Sequence, residues 1–195
     1  MDKRPSVIIC GCAKDCSHHI DGVFKNIELL KNVFEVRSIC IALDVSSDDT
    51  KDKLLKKKNH NNIILLEDDR PLINCTADGQ LRVINICNAR NRYMNYLFNL
   101  KNKPEYFIVM DMDDVCSGKI DINPIKRVVN DSAKWDGITF DNPRYYDFWA
   151  LSIKPFTVSC FISDDIFNTM HIMLKKLQEK RKGHSLYIDC ESSFN

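Results

Sequence analysis

The stretch YFIVMDMDDV, Tyr106 to Val115, drives an apolar run, Phe107 to Met110, into three carboxylates, Asp111, Asp113 and Asp114, within four residues. Ionised groups leave water only when they are paired, protonated or bound to a metal. Alternate residues of an extended chain share a face, about 6 to 7 Å apart at the backbone, so Asp111 and Asp113 are spaced to reach one ion. Oxygen-only ligands of this kind suit Mg²⁺ or Mn²⁺, which can in turn grip a diphosphate. The bare Asp-x-Asp triplet carries little weight, because a shuffle of a chain with 21 Asp in 195 residues holds about two of them. Its place at the end of an apolar strand in the middle of the chain gives it meaning. The plain alternative is a pair of solvated loop carboxylates.

Working outward, apolar periodicity predicts alternating strands and helices. Val7 to Cys10 reads as a short buried strand, and Gly11 then permits a tight turn. The helix that follows has Ile20, Val23, Phe24, Ile27, Leu30 and Phe34 on one face. A second apolar run, Ser38 to Leu43, ends in DVSSDDT, where Ser47 or Asp48 can cap the short helix KDKLLKKK. NNIILLE gives a third strand, DGQLRVINICNARNRYMNYLFNL a long helix, and YFIVM a central fourth strand. WDGITF, SDDIFNTMHIMLKKLQEKRK and LYIDC then predict a strand, a helix and a last strand. This order implies an α/β fold of one domain over residues 1–195, with a mostly parallel sheet covered by helices through right-handed crossovers. In such sheets ligands bind at the carboxyl ends of the strands.

The totals narrow the function classes. A hydrophobic content of 44% is enough for a core without disulfides, and the nine cysteines, several within apolar runs, suit a reducing compartment. Lys plus Arg is 28 against 27 for Asp plus Glu, so no bulk field draws the chain to nucleic acid or an anionic membrane. The Lys-rich stretches LLKKKN and LKKLQEKRK fall on helices with inward apolar residues and lack interleaved aromatics, so they read as solvated faces. No segment approaches the roughly 20 apolar residues of a spanning helix, and MDKRPSVIICG lacks a signal-peptide core. A cytoplasmic location is expected, and the sequons at Asn74 and Asn130 are attributed to chance.

Other strand ends also carry polar residues. GCAKDC follows the first strand, and Asp44 follows the second, placed to accept hydrogen bonds from a base or ribose. The long helix carries Arg82 and Arg90, about 80° apart around its axis, one of which can offer a guanidinium fork to phosphate oxygens. A snorkelling surface side chain is the alternative for either.

In this order ICGCAKDC, ALDVSSDDT, RVINICNARN and YFIVMDMDDV resemble the nucleotide-sugar glycosyltransferases of the GT-A fold. The later DGITFDNPRYYDFWAL is similar to the acceptor-side segment of the small capsule-type mannosyltransferases of fungi and related viral enzymes. The resemblance implies Ala13 and Asp44 at the nucleoside of a UDP- or GDP-sugar and Arg82 or Arg90 near its diphosphate. It further implies Asp111 and Asp113 on Mn²⁺ or Mg²⁺, with transfer to a glycan or other hydroxyl acceptor. Asp147, among Tyr146, Phe148 and Trp149, would orient or deprotonate that acceptor, with Asp189 and Glu191 as further acid or base candidates.

The chain departs from the family pattern at Leu43, where many relatives carry an acidic residue. It also stops at Asn195, where relatives continue into a glycine-rich turn, so a truncated domain is expected, its acceptor side completed by a second copy or a partner chain. One alternative is a non-catalytic remnant that binds nucleotide-sugar or a partner. Another is a phosphatase of the haloacid dehalogenase type, whose Asp-x-Asp, unlike this one, opens the domain. A zinc module built on Cys10, Cys12, Cys16, His18 and His19 is the third, with the unusual spacing C-x-C-x₃-C-x-H.

Overall fold

Two hydrophobic periods alternate along the first 130 residues, and each becomes the element that its period dictates. The strands are β1 (Ser6–Ala13), β2 (Glu35–Leu43), β3 (Ile63–Glu67) and β4 (Tyr106–Val109). The helices are α1 (Ser17–Leu30), α2 (Thr50–Lys58), α3 (Gly79–Phe98) and α4 (Asn123–Asn130), with a 3-10 turn at Asp114–Cys116. This computed structural model describes residues 4–68, 79–131 and 137–138, with 79–83 as backbone only. The chain divides into two compact units, Met1–Trp135 and Asp136–Asn195, where the sequence reads as one domain; every described element lies in the first. The expected helix over 163–182 and last strand over 186–190 lie outside the described residues, as does the expected fifth strand apart from Gly137 and Ile138.

All strand pairs are parallel and the order is β3-β2-β1-β4. The chain steps from β1 outward through β2 to β3, then returns across the sheet to lay β4 on the other edge of β1. Right-handed crossovers in opposite directions place their helices on opposite faces. Val23, Ile27 and Leu54 of α1 and α2 therefore pack in one core with Val7 and Ile9, and Ala89, Tyr93 and Leu97 of α3 in another with Ile8 and Cys10. The result is the expected α/β architecture, a parallel sheet flanked by helices and consistent with a Rossmann-like fold.

Two local expectations change. β1 does not turn at Gly11 but runs on to Ala13. Glycine is required there because a Cβ would stand 2.3 Å from the Met110 carbonyl oxygen and 2.5 Å from the Met112 Cε. Among the described strands β4 is not central but stands at one end of the order, and its Phe107 and Val109 are 52% and 50% exposed. The six described thiols are free, and Cys10 and Cys40, fully buried, face each other in register.

The loops after β1 and β2 are tied by Asp48. One of its carboxylate oxygens accepts from the Thr50 amide at 2.9 Å and the Thr50 hydroxyl at 2.5 Å. The other accepts from the Ser17 amide at 2.9 Å, and the Cys16 amide donates to the Thr50 hydroxyl oxygen at 2.8 Å. One carboxylate thus satisfies the starts of both α1 and α2, whose own N-cap residues, Cys16 and Asp49, make no side-chain cap bond.

Asp48→Ala should lower the melting temperature more than Asp49→Ala at pH 7, read by thermal unfolding. The Thr50 hydroxyl bond, helped by the Ser17 and Thr50 amides, holds the Asp48 carboxyl well below the usual range. Its stabilisation is complete above the unfolded value near about 4 and is withdrawn as pH falls toward the lower folded value, so the gap should narrow by pH 3. Gly11→Ala should cost about 1 to 3 kcal/mol in denaturant unfolding, the range for overpacking, because its closest neighbour is backbone.

Candidate functional site

The strand order reverses at β1: β2 and β3 lie on one side and β4 on the other. In open parallel sheets the crevice beyond the carboxyl ends at such a reversal is where ligands bind. The acidic segment is carried there by the ladder, which outlasts β4: the Met110 amide donates to the Cys10 carbonyl at 2.8 Å and the Met112 amide to the Cys12 carbonyl at 3.3 Å. Met110 and Met112 are buried in the α1-side core, so the intervening Asp111 turns the other way and is only partly buried. Asp113 is extended and starts the 3-10 turn, its Oδ1 accepting from the Val115 amide at 3.1 Å.

Both aspartates act on nearby thiols. Burial, then the Asp111 charge, pushes the half-buried Cys12 thiol up to about 12, against the opposing pull of Arg90 and Arg92. Cys116 is raised by burial and by both Asp111 and Asp113, so the two carboxylates lie within electrostatic reach of one thiol.

Asp44, expected at the nucleoside, meets a cation of the protein itself. Arg92 Nη2 donates to its Oδ1, and Arg92 Nη1 pairs with Asp68 Oδ2 at 3.4 Å. The three side chains are 14 to 19% exposed, and among the described residues Arg92 Nε makes no hydrogen bond. Arg90 is exposed, and Arg82 lies in the first turn of α3, its side chain outside the described set. Ala13 is buried in the α1-side core and its carbonyl accepts from the Asp44 amide at 3.1 Å. Asp147, Asp189 and Glu191 lie outside the described residues.

Sequence reasoning missed Arg92 and Asp68. Asp68 stands one residue past β3 as Asp44 stands one past β2, and that repetition was the available signal. Arg92 lies between the inward residues Ala89 and Tyr93 of α3, so a wheel drawn on those two finds it beside the buried stripe.

The β1–α1 loop offers little to a phosphate. Its amides at Asp15, Cys16 and Ser17 donate to Ser46 Oγ, Thr50 Oγ1 and Asp48 Oδ2. A helix start that normally attracts anions is therefore filled by the protein's own carboxylate. Among the described residues no three His, Cys, Asp or Glu side chains gather as a ligand set. Cys12 packs with the α3-side core and Cys16 with the α1-side core, which opposes the zinc-module reading. Asp111 and Asp113 are the residues that could hold a hard cation of the Mg²⁺ type, which uses one or two carboxylates and takes its other oxygens from water and substrate phosphates. Arg92→Met should cost about 3 kcal/mol in denaturant unfolding, since it removes the cation that Asp44 and Asp68 share, and Arg92→Lys should recover only part because it lacks the fork. Comparison with protein-family models, with curated proteins and with solved structures found no match to this chain.

Proposed function

We propose that the chain is a metal-dependent glycosyltransferase that takes a sugar from a nucleotide-sugar and passes it to a hydroxyl acceptor. The observation that supports it most is the pair Asp111 and Asp113 at the crevice where the strand order reverses, next to a β1–α1 loop whose first amides are already used. A diphosphate at that crevice lacks the amide cradle of a dinucleotide-binding turn and faces carboxylates instead. A divalent cation held by Asp111 and Asp113 would reconcile the two anions and act as a Lewis acid toward the departing diphosphate.

The chain's own residues would do the rest. Arg90, exposed on α3 and within electrostatic reach of Cys12, would meet phosphate oxygens. Asp44, steadied by Arg92, would accept hydrogen bonds from the nucleoside. In transfer the bond from the anomeric carbon to the diphosphate oxygen breaks, the acceptor oxygen bonds to that carbon, and the acceptor proton leaves to a base. Asp147, Asp189 and Glu191 are the proposed candidates for that base.

Calorimetric titration with UDP- and GDP-sugars, with and without Mn²⁺, tests this. Binding should require the metal, and Asp111→Asn and Asp113→Asn should each weaken it at least about tenfold, a change of about 1.4 kcal/mol. Metal-independent binding that both variants leave unchanged would defeat the assigned role. Metal-dependent binding without sugar transfer or hydrolysis would favour a binding remnant over an enzyme.

A further inference from the structure

We infer that Asn26 is a positioning residue for the acidic loop, setting where Asp111 and Asp113 stand. It rests on the metal-dependent reading above. Asn26 lies on the inward face of α1 among apolar residues and is 1% exposed. A buried amide there is costly unless every polar atom is used. Its Nδ2 donates to the carbonyls of Cys116 at 2.8 Å and Gly118 at 2.5 Å, and its Oδ1 accepts from the Ile120 amide at 3.3 Å. All three partners are backbone groups of the segment that follows Asp113.

The segment held by Asn26 directly follows both aspartates. Cys116, whose carbonyl Asn26 grips, lies within electrostatic reach of Asp111 and Asp113. Val115, in the same turn, donates its amide to the Asp113 carboxylate. Gly22, one helical turn before Asn26, completes the seat, because a Cβ there would lie 2.5 Å from the Ser117 carbonyl oxygen. The amide and the glycine are thus two features of one helix face shaped to one loop. Partners one shell out from a metal are expected to change its affinity by about 10- to 100-fold when removed.

The test compares Asn26→Ala, Gly22→Ala and, as a control in the same core but on α2, Leu54→Ala. Gly22→Ala removes no hydrogen bond and replaces a glycine within a helix, so it remains informative if Asn26→Ala fails to fold. The readouts are Mn²⁺ affinity in the presence of UDP or GDP, by titration of the Mn²⁺ paramagnetic resonance signal, and the rate of tryptic cleavage after Lys119. The expected result is faster cleavage and Mn²⁺ affinity lowered at least about tenfold in both loop variants. Leu54→Ala should lose stability while keeping wild-type affinity. Wild-type affinity in the loop variants, or an equal loss in Leu54→Ala, would overturn the inference alone. No Mn²⁺ binding by the wild type, with cleavage still faster in the loop variants, would overturn the metal-dependent reading and this inference with it, while leaving the clamp itself demonstrated.

Discussion

The close approach of the segment after β4 to β1 is the constraint on which the rest depends. Gly11 has no side chain, so the Met110 carbonyl and the Met112 side chain can fill the space where one would be. The ladder continues past the formal end of β4 through two more amide-to-carbonyl bonds. Once that ladder is fixed, the period of two in an extended chain does the sorting. Methionines enter the core, and Asp111 is turned toward the crevice beside β1. A side chain at position 11 would push the acidic segment away from the sheet, and with it the site.

Around that crevice, charge is arranged in two groups with different fates. Arg92 links Asp44 and Asp68 beyond β2 and β3, and its burial makes this a structural tie between two loops. Asp111 and Asp113 stand on the other side of β1, where the Asp113 carboxylate accepts from the Val115 amide of the 3-10 turn and both aspartates raise the Cys116 thiol. Part of the lysine run on α2 is committed elsewhere, with Lys53 and Lys57 on Asp21 and Lys51 on Glu67.

Asp48 shows how loops at a strand end can be fixed without glycine-rich turns. Its two oxygens serve amides 31 and two residues away in sequence, joining the starts of α1 and α2. The same bonds leave the first turn of α1 with an internal carboxylate where a bound phosphate would otherwise gain. The chemistry proposed for the site follows from this exclusion as much as from the aspartates themselves.

The order and type of the four described strands and of α1, α2 and α3 were legible in the sequence because they depend on local period, whereas α4 was not among the expected elements. Ile20, Val23, Phe24 and Ile27 can share a face only in a helix, and the parallel sheet follows from strands that alternate with helices. The acidic strand end was legible for the same reason. What the tertiary structure alone decided is who meets whom across the sheet. Arg92 was one arginine among several until α3 packed over β1 and β2 and brought it to Asp44 and Asp68, 48 and 24 residues earlier in the chain. Gly11 resembled a turn residue because its neighbour in space comes about 100 positions later in sequence. Asn26 looked like any polar residue in a helix, since its three partners lie 90 to 94 residues away. Periodicity reports which side of an element is apolar; it holds no information on which distant backbone will lie against that side.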